Sequence, residues 1–352
     1  MATVSGIRGE SAVPSARGPL SALVTDALTS GPPPRPLPAP DTECEQADPY
    51  GDDLQLALHV CYELHYRGLA GVDPLWEWDP DLLRFRAVLE AAFESALRAD
   101  TRGAGRAADL EAELDTMLVE PLVDTSVGHY LRDHADWGQL REYFVHRSVY
   151  QLKEADPQAW VIPRLAGRAK AALVAVEFDE FGAGRAECVH AQLFADLMRD
   201  AGLDPVYGRY VDSVPAVTLA TVNVISHLGL HRRLRGALVG HFAAGEITTA
   251  PSARRLVQAI DRLGGGAACR HFYAEHIDAD AVHEQVMRRD VLGDLVAREP
   301  ALAPDVVFGV RAASLLEERL ETHLLDAWRS GRSSLRLPLS GPSRTAEKDV
   351  LP

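Results

Sequence analysis

Apolar residues recur at helical spacing along most of the chain from about residue 50 onward. The stretch "DDLQLALHVCYELHYRGL" at 52–69 is typical, because its apolar positions lie three and four residues apart and share one helical face. No stretch of the sequence alternates strictly between apolar and polar residues, as a half-buried strand does. The pattern predicts an all-α protein.

Punctuation residues divide this pattern into helices. Asp79 and Pro80 are typical of a helix start, and "LGGGAA" at 263–268 predicts a break between two helices. The stretch "TTAP" at 248–251 predicts that another helix ends soon after Glu246. At this end of a helix the macrodipole disfavours a carboxylate, so the position of Glu246 invites a functional explanation.

The chain divides unevenly into one domain and two flanking segments. Residues 1–48 are rich in Pro, Gly, Ser and Ala, with "SGPPPRPLPAP" at 30–40, and predict a disordered leader. Residues 49–330 carry the helical pattern and form one expected domain. Residues 331–352 predict a flexible tail.

Composition excludes several classes of protein. The formal net charge of -15 argues against nucleic-acid binding, which needs a basic surface. Apolar runs are too short to span a bilayer, and the first residues lack the apolar centre of a signal peptide. The four cysteines are scattered without paired spacing, which favours reduced thiols. We therefore expect a cytoplasmic protein without a membrane partner.

Two histidines and an aspartate in "AEHIDADAVHEQV" at 274–286 share one helical face. His276, Asp280 and His283 are spaced i, i+4 and i+7, so their side chains project together if this stretch is a helix. This spacing suits a metal ion. A solvated helix surface that carries two histidines is an equally good interpretation of this motif alone.

Other stretches offer further donor atoms. His190 lies at the border of an apolar stripe, and Glu187 precedes it at the i, i+3 spacing that helical di-metal proteins use. Glu246 is a candidate for a bridging carboxylate from another helix. Most remaining histidines, including His227 and His231, lie among charged or turn residues and suggest no specific role.

The order and spacing of three segments carry a resemblance to a known family. The segments are "VEFDEFGAGRAECVH", "LVGHFAAGEITTAPSARRLV" and "HFYAEHIDADAVH". Together they resemble the heme-oxygenase-like diiron oxidases and oxygenases, also called iron-containing redox enzymes. The resemblance covers roughly residues 50–330.

This resemblance implies a heme-oxygenase-like helical bundle that binds two Fe²⁺ ions and uses O₂ as a co-substrate, with a manganese–iron pair less favoured. The implied metal ligands are Glu180, His190, Glu246, His276, Asp280 and His283. Glu154 of "LKEADP" matches a further acidic position typical of N-oxygenating members. Phe181 departs from the usual tyrosine of "DEYG", and Glu187 stays open as an alternative to Glu180.

The function expected from the resemblance is N-oxygenation of a small-molecule amine to a hydroxylamine or nitro product in specialised metabolism. Oxidative carbon–carbon cleavage of an amino or fatty acid and a metal-free interaction module are the alternatives. An external electron donor and a homodimer stay open. Arg164, Arg209 and Tyr210 are candidates for binding the substrate. Glu154 could instead cap or salt-bridge its own loop.

Overall fold

The structure, a computed structural model, describes residues 11–33, 46–102, 110–118 and 126–339, with the side chains of residues 278–281 left out. These residues form helices joined by turns, and no strand occurs among them. The prediction of an all-α fold is confirmed. In the part of the chain described, no helix combines the length and apolar content needed to cross a bilayer.

The helices are numbered in chain order. They are α1 (Pro19–Thr29), α2 (Asp52–Glu63), α3 (Pro80–Asp100), α4 (Leu110–Leu118), α5 (Val127–Asp133), α6 (Trp137–Gln151), α7 (Asp156–Ala159), α8 (Gly167–Glu180), α9 (His190–Asp200), α10 (Ala216–Leu230), α11 (Arg235–Leu263), α12 (Ala267–Gln285), α13 (Gly293–Arg298) and α14 (Ala303–Arg329). A π-helical segment, Val286–Leu292, joins α12 to α13.

The two longest helices, α11 and α14, cross at glycines. A Cβ atom at Gly240 would collide with the backbone oxygen of Val306, and one at Gly309 would collide with that of Ala237. Because neither glycine has a side chain, the two backbones approach closely and pack their apolar faces together. Helix α11 also carries Glu246, so this close contact helps to fix the position of that residue.

Helix α11 does not end at "TTAP", so that sequence-based boundary is wrong. The helix continues through Pro251 to Leu263, and Glu246 lies near its middle. A proline inside a helix costs about 3 kcal/mol. Buried side chains on both sides of it, such as Ile247 and Leu256, keep the helix packed in the core and offset this cost. The helix dipole therefore gives no reason to single out Glu246.

The expected disordered leader contains a packed helix, so the prediction of disorder is wrong for residues 11–33. Helix α1 lies against α2, and the carboxylate of Asp53 accepts hydrogen bonds from the backbone N–H groups of Leu20 and Ser21 at 2.9 and 2.7 Å. A cap supplied by a residue distant in sequence is invisible to a local pattern. Residues 1–10 and 34–45 lie outside the described part of the chain.

The start of the expected flexible tail packs against α6. Ser334 is buried, and its backbone N–H and hydroxyl donate hydrogen bonds to Glu142 at 2.9 and 2.7 Å. The prediction of flexibility is therefore wrong for this position, because two hydrogen bonds to a carboxylate fix it. Residues 340–352 lie outside the described part of the chain.

Candidate metal centre

Two groups of donor side chains meet between the helices α8, α9, α11 and α12 and the turn that follows α6. We call them the Glu154 group and the Glu246 group. The Glu154 group is Glu154, His190 and His276, and the Glu246 group is Glu180, Glu246 and His283. Within each group, one ligand atom from every residue lies within 4.8 Å of the others. Six of the seven residues named from the sequence are thus brought together.

A glycine turn brings Glu180 and His190 face to face. Gly182, Ala183 and Gly184 all have positive φ angles, of 73°, 52° and 81°, and reverse the chain between α8 and α9. A Cβ atom at Gly182 would collide with the backbone at Cys188, so only glycine fits there. As a result, Oε2 of Glu180 lies 2.7 Å from Nδ1 of His190.

Glu154 lies in the turn that follows α6. The next residue, Ala155, has a φ of 70°, and the preceding Lys153 is buried and paired with Glu63. The Glu154 carboxylate lies 3.6 Å from Nε2 of His276 and 4.0 Å from Nδ1 of His190. It therefore faces imidazoles rather than a cation of its own loop.

Helix α12 presents its two histidines to different groups. Nδ1 of His276 lies 2.7 Å from the backbone oxygen of Phe272, so this nitrogen donates its proton and Nε2 faces Glu154. His283 turns Nδ1 toward Glu246, at 3.1 Å. Asp280 lies between them on the same helix, but its side chain is outside the described residues. The prediction that Asp280 joins the site stays a prediction.

Asp179 orients His283 from outside the two groups, a role that sequence reasoning missed. Its carboxylate lies 3.3 Å from Nε2 of His283, although the side chain is 55% exposed. Histidine ligands of metals usually donate their second ring N–H to such a carboxylate, which fixes the ring and its tautomer. The only sequence signal for Asp179 is its position beside Glu180.

Glu180 connects the two groups. Its Oε2 faces His190, and its Oε1 lies 3.6 Å from Nδ1 of His283. The carboxylate that lies between the groups is therefore Glu180 and not Glu246, the bridging candidate suggested by sequence. Glu187 is exposed in a 3₁₀ turn and belongs to neither group, so the geometry favours Glu180 over this alternative.

The carboxylates of the site have no guanidinium or ammonium partner in the part of the chain that the structure describes, although Glu180 and Glu246 are buried and Glu154 is nearly so. None of Glu154, Glu180 and Glu246 forms an ion pair with Lys or Arg among the described residues. Burial raises the pKa of Glu180, but the neighbouring histidines outweigh burial and hold the pKa below its ordinary value. In the metal-free protein, protons on His190 and His283 help to balance these charges, and a bound metal ion would replace them.

The pKa values of the histidines also reflect a balance between burial and the neighbouring carboxylates. Burial lowers the pKa of His283, but the hydrogen bond and charge of Glu246, with the charge of Glu180, raise it to about 9. Burial likewise lowers the pKa of His190, and Glu180 raises it above its ordinary value. Carboxylates therefore dominate the electrostatics here, as expected of a site that accepts cations.

Glu177, one turn before Glu180 on α8, is a further carboxyl group that sequence reasoning did not rank. Neither of its side-chain oxygens has a hydrogen-bond partner among the described residues, although the residue is buried. Burial, with the nearby charges of Glu180 and Glu246, raises its pKa to about 9. Orphaned buried oxygens of this kind fit a place where positive charge is missing.

We expect Glu177→Gln to flatten the pH dependence of stability in the metal-free protein. The pKa of Glu177 rises from an ordinary value of 4.5 to about 9 on folding, so the folded state holds its proton more tightly. This contribution to stability is fully present below about pH 4.5 and is lost as the pH rises toward 9. Thermal unfolding between about pH 5 and pH 8 measures the effect. Exposed Glu187→Gln is the control, and a wild-type slope in Glu177→Gln would contradict the assignment.

The side chains expected to bind a substrate lie elsewhere. Arg164 donates to the backbone oxygens of Gly229 and Leu230, and Arg209 pairs with Asp204 at 3.3 Å. The Tyr210 hydroxyl accepts a hydrogen bond from a backbone N–H group. Two surface cavities, of about 330 and 210 Å³, are lined by none of the residues of the two donor groups.

The donor set fits a pair of iron ions. Imidazole nitrogens and carboxylate oxygens are ligands that non-heme iron takes, and each of the two groups offers three such donors. The helical fold and these groups together describe a helical protein with two buried groups of side chains that could hold metal ions.

Comparison with known proteins agrees with this class. The sequence profile of the family described as iron-containing redox enzymes, which are heme-oxygenase-like, matches residues 141–318. The chain belongs to this family and is an oxidoreductase of the iron-containing type. No curated protein matches the chain.

Proposed function

We propose that the protein is a non-heme diiron oxygenase that uses O₂ on a small-molecule amine. The observation that carries the proposal is the position of Glu180, whose two oxygens face one histidine in each donor group. A carboxylate shared by two groups of nitrogen and oxygen donors is the arrangement of helical di-metal proteins.

The residues divide between two ions. The Glu154 group would hold one iron, the Glu246 group would hold the other, and Glu180 would be shared between them. Asp280, expected from the sequence at the same helical face, would add a fourth negative charge to those of Glu154, Glu180 and Glu246. With Asp280 included, four carboxylates would balance the charge of two divalent ions such as Fe²⁺.

Apolar residues support the histidines and keep water away. The ring of Phe272 lies 4.4 Å from that of His276, and Phe194 packs edge-on against Phe272 at 5.0 Å. All three side chains are buried. A dry wall behind the donors strengthens their electrostatic interactions and limits side reactions with solvent.

N-oxygenation is the reaction that Glu154 favours. Bound iron supplies the electrons that activate dioxygen. In the overall reaction an amine, O₂, two electrons and two protons give a hydroxylamine and water, so one oxygen atom enters the substrate and the other leaves as water. The two electrons come from an external donor, which the proposal includes. Glu154 adds a carboxylate beyond the six positions common to the family resemblance.

The test combines metal analysis with a search for products. Anaerobic protein is titrated with Fe²⁺, separated from free metal and analysed, and we expect about two irons per chain. The loaded protein is then given O₂, a reductant and a panel of primary amines, and mass spectrometry searches for products that have gained one oxygen atom.

Other results would lead to different conclusions. Saturation at zero metal would overturn the diiron proposal and favour a metal-free module, and a single bound zinc in place of iron would overturn it as well. Two bound irons with loss of CO₂ from amino or fatty acids would retain the diiron centre and replace N-oxygenation with oxidative cleavage.

A further inference from the structure

A second cluster of histidine and glutamate side chains lies away from the candidate diiron centre. We call it the Glu90 cluster: Glu90 and Glu94 on α3, His227 in the last turn of α10, and His231 directly after that helix. It shares no residue with the Glu154 or Glu246 group. The inference therefore does not depend on the proposed function.

The cluster has the dimensions of a metal site. Nδ1 of His227 lies 3.7 Å from Oε1 of Glu90, and Nε2 of His231 lies 2.9 Å from Oε2 of Glu90. One ligand atom from each of these three residues lies within 4.8 Å of the others. Ligands about 2.0–2.2 Å from one tetrahedral ion are separated by roughly 3.3–3.6 Å, so small side-chain shifts are sufficient.

Glu94 fixes the ring of His227 in the orientation that a metal needs. Its Oε2 lies 3.0 Å from Nε2 of His227, so this nitrogen carries the proton and donates to the carboxylate. Nδ1 then faces Glu90, and a metal ion would bind there in place of a second proton on the ring. The side chain of His227 is 1% exposed, and its Nδ1 makes no hydrogen bond within the described residues.

A closed network of ion pairs is the alternative interpretation. Arg86 lies 3.1 Å from Glu90, while Arg98 and Arg233 contact Glu94 at 2.8 and 2.9 Å. Glu94 is thus neutralised and serves to orient His227. Glu90 has one guanidinium partner among the described residues, and its carboxylate offers about four lone-pair positions. Arginine pairing leaves Nδ1 of His227 to Glu90. Burial lowers the pKa of His227, but the hydrogen bonds and charges of Glu90 and Glu94 raise it above its ordinary value, so in the metal-free protein a proton occupies the position that the ion would take.

We propose that the Glu90 cluster is a second metal site, which binds a divalent transition ion such as Zn²⁺ through His227 Nδ1, His231 Nε2 and Glu90. Two imidazoles and one carboxylate form a ligand set that zinc takes in proteins. His231 is 29% exposed at its side chain and leaves a path from solvent to the ion. The ion would join α3 to the end of α10 and stabilise the corner before α11.

The test compares zinc binding in wild-type protein and His231→Gln. Both proteins are loaded anaerobically with Fe²⁺, dialysed against a small excess of Zn²⁺, and analysed for both metals. We expect the wild type to hold one divalent ion more per chain than the variant, and Zn²⁺ to raise the unfolding temperature of the wild type alone. Glu90→Gln should lose the same ion. His134→Gln, at an exposed histidine outside both sites, is the matched control.

Two further results separate the possibilities. Equal metal content in wild type and His231→Gln would overturn the proposal and leave the cluster as a network of ion pairs. If the variants fail to fold, X-ray absorption at the zinc edge of wild-type protein that retains its full iron content still decides. Iron then occupies the Glu154 and Glu246 groups, and zinc in the Glu90 cluster requires two nitrogen ligands. Failure of the diiron proposal would appear separately, as a loss of iron with zinc unchanged.

Discussion

Replacing Glu180 with alanine is expected to lower the iron content from about two ions per chain to fewer than one. Its two oxygens face His190 and His283, so the substitution removes a donor from both parts of the site. Folding should survive, because Glu180→Ala removes a buried charge and leaves the apolar contacts of α8 in place. Metal analysis after anaerobic loading measures the iron content, and far-ultraviolet circular dichroism measures whether the helices are retained.

Glu187→Ala is the matched control for this experiment. It removes the same charge seven residues further along, at an exposed position that belongs to neither donor group. We expect it to bind iron as the wild type does. If Glu187→Ala lost the metal while Glu180→Ala kept two irons, the Glu187 alternative would replace the assignment of Glu180.

Replacing Glu154 with glutamine is expected to reduce oxygenated amine product by on the order of tenfold or more, with most of the iron retained. Glutamine keeps the shape of the side chain but removes the charge that faces His276 and His190. The remaining donors still hold the ions, while the charge delivered to the centre falls. Product formation per bound iron, with a substrate found in the amine screen, is the quantity to measure.

Glu275→Gln supplies the comparison for Glu154→Gln. It makes the same change at an exposed position on α12, next to His276. Unchanged turnover is expected there. Wild-type turnover in Glu154→Gln would remove the main support for N-oxygenation and give more weight to oxidative carbon–carbon cleavage.

The helices of the domain follow from local sequence patterns. Helical periodicity, the Asp79 cap of α3 and the glycines after Leu263 are readable because each depends on residues within a few positions. The face that carries His276 and His283 is readable for the same reason, since helix geometry places residues seven apart on one side. Recognition of the family extended these local signals to Glu180 and Glu154.

Only the tertiary structure decided the features that join distant segments. Helix α1 depends on a cap from Asp53. Helix α11 continues through Pro251 because the helical residues before and after this proline are buried in the core. Glu90 and His227 lie 137 positions apart in the sequence, and no spacing rule relates them. They nevertheless face each other from two different helices. Local patterns cannot report such pairs, because packing and not chain proximity brings them together.

Within the candidate metal centre, some features could be predicted from the sequence and others were fixed only by the tertiary structure. The sequence by itself determined the donor types and their order along the chain, since these depend on residue identity and on resemblance to a family. The tertiary structure decided that Glu180, rather than Glu246, lies between the groups, and that Glu177 and Asp179 accompany it. The physical reason is that the direction of each side chain follows from the glycine turn after α8 and from how four helices pack around it.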